Sequence, residues 1–137
     1  MVRTWFLSLL LALIPSYAFC IEIWHSDNIW IGQGYSSYSF TLDGQDLYTS
    51  GGATDLKITI DMYEKGEKTG SETIVIEKIG SCNAERYDGA AIETQANPDK
   101  FVISKASAII DGERVDLLKS GMLTWREFSP VPIEIQK

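Results

Sequence analysis

Leu56, Ile58, Ile60 and Met62 alternate with Lys57, Thr59 and Asp61. Strict period-two alternation places one row of side chains on each face of an extended chain, and it does not make the single apolar stripe of a helix. It predicts a half-buried β-strand. The pattern recurs along the chain. Ile21, Ile23 and His25 alternate with Glu22 and Trp24, and Ile29 and Ile31 flank Trp30. Tyr38, Phe40 and Leu42 alternate with Ser37, Ser39 and Thr41. Residues 73–79 and 101–110 are rich in β-branched and aromatic side chains, as strands prefer. Long apolar stretches at helical spacing do not occur after residue 20.

Turn chemistry divides these runs. Asp111-Gly112 suits a tight primed hairpin turn, whose central residues both take positive φ. The polar stretch 64–72, with Gly66 and Gly70, predicts a second hairpin with a charged tip. Gly32-Gln33-Gly34 reads as a bulge or strand bend, Asp43-Gly44-Gln45-Asp46 as a turn, and Asn97-Pro98-Asp99 as another. Residues 117–125 have room for one helical turn broken at Ser120-Gly121. Pro130 and Pro132 precede an alternating Ile133-Glu134-Ile135 and indicate a linker into an edge strand. The sum is about seven to nine strands in one domain, an all-β antiparallel sandwich of the immunoglobulin or fibronectin type III-like kind. A small closed barrel is the runner-up.

The N-terminus is separate from that domain. Arg3 is the only charge before Glu22, and the sequence WFLSLLLALI follows it closely. Pro15 and then Ser16-Tyr17-Ala18 complete the pattern of a secretory signal peptide, 1–18, cut after Ala18. The apolar run is shorter than the roughly 20 residues of a membrane-spanning helix. The mature domain is then 19–137, periplasmic or secreted. Cys20 and Cys82 are the two cysteines. Tyr17 and Phe19 are too large for a lipidation signal, so no membrane anchor is expected. In an exported protein the pair reads as one disulfide, which in the chain-entropy model stabilises by about 3–5 kcal/mol. Cleavage after Cys20 itself is the competing reading, and it leaves Cys82 alone.

The chain carries a net charge of −7, and −8 once Arg3 is removed. No basic stripe is present to neutralise phosphates, which argues against nucleic-acid binding. Chemistry is sparse. His25 is the single histidine, there is no CxxC, and no G-x-S-x-G or third glycine after Gly32-Gln33-Gly34 marks a hydrolase or nucleotide site. The sequence therefore predicts no catalytic residue, no metal site, no cofactor and no enzyme. His25 is expected at a strand end with an ordinary hydrogen bond.

The aromatics carry the remaining signal. Trp24 and Trp30 occupy positions that alternate with Ile21/Ile23 and Ile29/Ile31. If those isoleucines face the core, both tryptophans face outward, and exposed Trp and Tyr are common interface anchors. Trp24, Trp30, Tyr35 and Trp125 are the candidate binding residues. The competing reading places each tryptophan in the core, where Trp is usually well buried.

Two stretches, Asn28-Ile29-Trp30-Ile31-Gly32-Gln33-Gly34 and Asp116-Leu117-Leu118-Lys119-Ser120-Gly121 continuing to Pro130-Val131-Pro132-Ile133-Glu134-Ile135, together with the leader and the early cysteine, resemble the bacterial interleukin receptor mimic family of small secreted proteins. The resemblance implies a fibronectin type III-like fold, a homodimer formed by strand exchange, and binding of host cytokines by an immunomodulatory virulence factor. It supplies no catalytic residues. The residues alone leave open two other roles for such a domain: a pilus-type or envelope assembly subunit, and a periplasmic inhibitor.

Overall fold

The computed structural model describes residues 21–44, 52–80, 87–126 and 131–136. The expected leader, Cys20, Cys82 and the second half of the 43–46 turn lie outside the described residues. Nine strands follow in chain order: β1 (Ile21–Gly32), β2 (Tyr35–Asp43), β3 (Ala53–Glu64), β4 (Glu67–Ile79), β5 (Tyr87–Thr94), β6 (Lys100–Ile110), β7 (Glu113–Asp116), β8 (Leu123–Arg126) and β9 (Ile133–Ile135). They form two sheets packed as the expected sandwich. The first has the order β5-β2-β1-β8 and the second β4-β3-β6-β7. Because β3 occupies one edge of β6, β9 pairs along the same edge as β7, further along the strand.

Most pairs are antiparallel, but β1–β8 and β6–β9 are parallel. β7, β8 and β9 alternate between the two sheets, so the C-terminal segment ties one layer to the other. Beneath them the inner rows close a single core. Phe40, Leu42, Ile58, Ile60, Phe101 and Ile103 are essentially without solvent contact. Full burial of a side chain of this kind stabilises by about 1.5–3 kcal/mol. Phe101 of the second sheet reaches across to the first. Its ring lies 5.0 Å from Phe40 and 5.3 Å from Tyr38, both near edge-to-face, the geometry aromatic quadrupoles favour.

The hairpins show where local chemistry decided the turn. Asp111 (φ 53°) and Gly112 (φ 81°) make the expected left-handed pair. Lys65 (φ 52°) and Gly66 (φ 82°) make the same turn, which shortens the connection read over 64–72 to those two residues. Gly70 is inside β4, facing Met62, and a Cβ there would meet the Met62 methyl at 3.0 Å. At Gly32-Gln33-Gly34 a register shift between Trp30 and Gly32, as the bulge reading expected, leads into a tight turn at Gln33-Gly34. All three residues have positive φ, and they reverse the chain between β1 and β2.

Residues 117–121 form a turn, not a helix. Asp116 holds it: its carboxylate accepts the amides of Leu118 and Lys119 at 3.0 Å, and its carbonyl accepts that of Ser120 at 3.1 Å. One strand, β5, was not apparent from alternation. Its Gly89-Ala90-Ala91 centre has low strand propensity, and tertiary pairing with β2 holds it in place. Asp61, a buried carboxylate, is satisfied by the Ser71 hydroxyl at 2.8 Å and by Lys68 at 3.5 Å.

Candidate interaction site

The first half of β1 is core and the second half is not. Ile21, Ile23 and His25 are buried, whereas every residue from Ser26 to Ile31 is exposed. The change occurs at a β-bulge between His25 and Asp27. There Ser26 is the extra residue, and an extra residue reverses the alternation of everything beyond it. Cross-strand partners share a face. Trp24 pairs with Thr41, on the outer face, while Trp30 pairs with Ser36, which has the inward parity of Tyr38 and Phe40. The two tryptophans therefore lie on opposite faces of the sheet. This corrects the expectation that both face outward opposite core isoleucines. Ile29, paired with Ser37, is on the outer face, and neither Ile29 nor Ile31 belongs to the core.

Trp30 has inward parity, yet its ring meets solvent and not core. It is 72% exposed, with Ile29 at 53%, Ile31 at 49% and Tyr35 at 39%. The four side chains stand around the end of the β1–β2 hairpin, the arm, with Ile29 and Tyr35 on the outer face and Trp30 on the other; β5 pairs with β2 as far as Ser36–Thr94. Parallel pairing with β8 runs, among the described residues, to Trp24–Arg126. Among the described residues, the edge of β1 from Ser26 to Gly32 has no strand partner. Its sole charge is Asp27, whose carboxylate accepts the Asn28 amide at 2.8 Å. β4 borders the other sheet, paired with β3, and shows the contrast. Its exposed positions include Glu67, Lys68, Glu72, Glu77 and Lys78. Charged side chains of that kind discourage strand addition, and on the β1 edge Asp27 stands alone.

Of the four predicted binding residues, Trp30 and Tyr35 both lie at the end of the arm, on opposite faces of the hairpin. Trp24 and Trp125 do not. Trp24 is about 20 Å back along β1, at 3.3 Å per residue. It is half-buried under the Arg126 guanidinium, 4.6 Å from the ring centroid, and Arg126 also pairs with Glu22 at 2.6 Å. This set clasps β8 to β1, which gives Trp24 a structural part. Trp125, on β8, is 42% exposed at the base of the arm. Ile29 and Ile31 are the residues that sequence reasoning missed. The polar run Ser26-Asp27-Asn28 was the available sign that the core face ends there.

His25 is in the middle of β1, buried, and not at a strand end. Its ring lies 5.3 Å from Phe101, 5.4 Å from Phe40 and 5.7 Å from Tyr38. Nε2 is 2.9 Å from the Asp27 carbonyl, which can only accept, so Nε2 carries the proton. Burial pushes the imidazole pKa down from 6.5, and the hydrogen bond and charge of Asp27 oppose that only in part. Burial likewise pushes the Tyr38 phenol up. No group of three His, Cys, Asp or Glu side chains is placed to hold a metal among the described residues, nor is any helix there long and apolar enough to cross a membrane.

No curated protein matches the chain. The solved structure of IrmA from Escherichia coli does: at 28% identity and a TM-score of 0.64 it aligns with 82% of this chain and 95% of its own. The family model for interleukin receptor mimic protein A matches residues 21–125, a span that begins at β1 and ends inside β8. A match over that span, joined to the shared fold, shows that the chain belongs to the IrmA family.

Proposed function

We propose that this protein is an exported, non-enzymatic binding module whose β1–β2 arm engages a protein partner, and that the partner is a host interleukin. One observation carries the reading. Ile29, Trp30, Ile31 and Tyr35 are all exposed around the β1–β2 turn, and among the described residues no strand lies beside β1 from Ser26 to Gly32, where an apolar surface is costly unless something covers it. The name of the family, interleukin receptor mimic, supports the choice of partner. Trp and Tyr suit such a role because they bury much area with few rotatable bonds. The acidic domain adds long-range attraction toward basic partner surfaces. The same open edge is suited to a second copy of the chain, and a homodimer formed by strand exchange is part of the proposal. So are a leader cleaved after Ala18 and a Cys20–Cys82 disulfide that anchors the start of β1.

The test is saturable binding of the mature protein to a panel of immobilised interleukins, with Trp30→Ala beside the wild type. We expect at least one interleukin to bind, and the variant to bind it about 30-fold more weakly, the equivalent of a hot-spot loss of about 2 kcal/mol. Absence of binding across the panel overturns the choice of partner. Equal binding by the variant overturns the choice of surface.

A further inference from the structure

The arm belongs to the first sheet; the outer face of the second carries a groove. On β3, Ile58 and Ile60 turn into the core, so Lys57 and Thr59 point out of the sandwich. Strand register sets their neighbours. Thr59 lies between Thr73 of β4 and Lys105 of β6; Lys57 is opposite Ser107, and Ser107 is opposite Asp116 of β7. Ser104 is the extra residue where β6 shifts register against β3. The turn after β7 forms one wall: the Leu117 amide bonds the Ala106 carbonyl at 2.9 Å, and Leu118 lines the groove. The groove is open to solvent and holds about 530 Å³, within the roughly 300–1,000 Å³ of small-molecule sites. We propose that it binds an anionic sugar, a hydroxylated ring that carries one carboxylate.

The hydrogen-bond inventory points to that chemistry. Among the described residues, the Lys105 ammonium and the Ser104 hydroxyl have no hydrogen-bond or ion-pair partner. Lys57 lies 3.8 Å from the Asp55 carboxylate, beyond hydrogen-bond length, and Arg114 already holds that carboxylate. Arg114 also donates to the Ser107 hydroxyl oxygen at 3.0 Å, which leaves the Ser107 proton for a guest. Thr59 and Thr73 share one hydrogen bond at 3.0 Å, so one of their two protons is left over as well. Against these donors stands one anionic acceptor. Asp116 uses Oδ1 on the Leu118 and Lys119 amides and keeps Oδ2 open. Two lysines against that one carboxylate make the groove positive, in a chain whose net charge is −7. A single carboxylate on the guest matches the surplus, whereas a doubly charged phosphate exceeds it. Hydroxyls both donate and accept, which suits a polyhydroxylated ring, and Asp116 Oδ2 takes one of the ring's protons. Leu118 supplies an apolar contact. A bare anion gains only the lysines and is repelled by the overall negative charge. The groove and the arm are on different sheets, so this site does not depend on the interleukin reading.

The experiment is a titration of the isotope-labelled mature protein with glucuronate, glucose and sodium sulfate at matched ionic strength, followed by amide NMR shifts. We expect glucuronate to shift the amides of residues 57–59, 104–107 and 116–118 saturably. Lys105→Gln, at an exposed position, keeps the fold and should weaken glucuronate binding about tenfold, the loss of one hydrogen bond to a charged group. Equal binding of sulfate reduces the groove to a site for an adventitious ion only and overturns the proposal. Equal binding of glucose removes the charge match and overturns it too. So does an unchanged affinity in Lys105→Gln, or the lack of a saturable shift with glucuronate. A glucuronate-containing tetrasaccharide tells the sources of the sugar apart: tighter binding than the monosaccharide supports a unit of a glycan chain, and equal or weaker binding supports the free acid. These readouts involve no interleukin and should be the same in Trp30→Ala, so failure of the groove and failure of the binding reading are told apart.

Discussion

Replacing Trp30 by Ala separates a binding residue from a folding residue. With Trp30 72% exposed, roughly a quarter of a side chain that can bury about 150–250 Å² is in contact with the protein, or about 40–60 Å². At about 25 cal/mol per Å² the change costs folding about 1–1.5 kcal/mol, and less if the unfolded chain is already compact. If Trp30 anchors a partner, the exposed remainder is buried on binding, and the loss of affinity reaches about 2 kcal/mol or more. The expectation is thus a larger effect on binding than on stability. Urea unfolding followed by circular dichroism measures the second quantity, and an unchanged slope confirms that the same surface is exposed on unfolding. Surface-immobilised interleukin measures the first. A stability loss above about 3 kcal/mol, in the range of core aromatics, means that Trp30 is packed, and the description of its ring as solvent-exposed is then wrong.

Phe101→Ala should give the opposite result. It removes a fully buried ring and its contacts with His25, Tyr38 and Phe40, and in the same unfolding assay it should cost about 3–5 kcal/mol. Arg126→Ala removes both the stack on Trp24 and the pair with Glu22. Both are partly exposed, so thermal unfolding should report a loss of about 1–1.5 kcal/mol; Arg126→Lys should recover less than half of it, because an ammonium cannot stack as a plane. Intact mass of the exported protein should correspond to a chain that starts at Phe19 and is two hydrogens lighter than its reduced form; a chain that starts at Ile21, or one that carries lipid, removes the disulfide from the account.

The fold was largely legible because a strand in a sandwich must answer to the core every second residue. Leu56, Ile58, Ile60 and Met62 show this rule with no exception, and β3 lies where they predict. Asp111-Gly112 was legible for a different reason, since few dipeptides accept two consecutive positive φ values at so little cost. β5 was not. Gly89-Ala90-Ala91 has no pattern of its own, and hydrogen bonding to β2 supplies what propensity lacks. The site was half legible. Trp30 and Tyr35 were found by residue type, while Trp24 was found for the same reason and turned out to be a clasp under Arg126.

What the sequence determined by itself is the class of fold, the main hairpin turns, and the aromatic character of the surface, all of which are local consequences of side-chain alternation and backbone freedom. The tertiary structure alone decided which half of β1 is core. One extra residue at Ser26 leaves the composition of the strand untouched and exchanges its faces, and Trp30 meets water although it has the parity of the core residues of β2. Neither fact has a local signature, because both depend on a partner strand and an opposing layer brought together from distant parts of the chain.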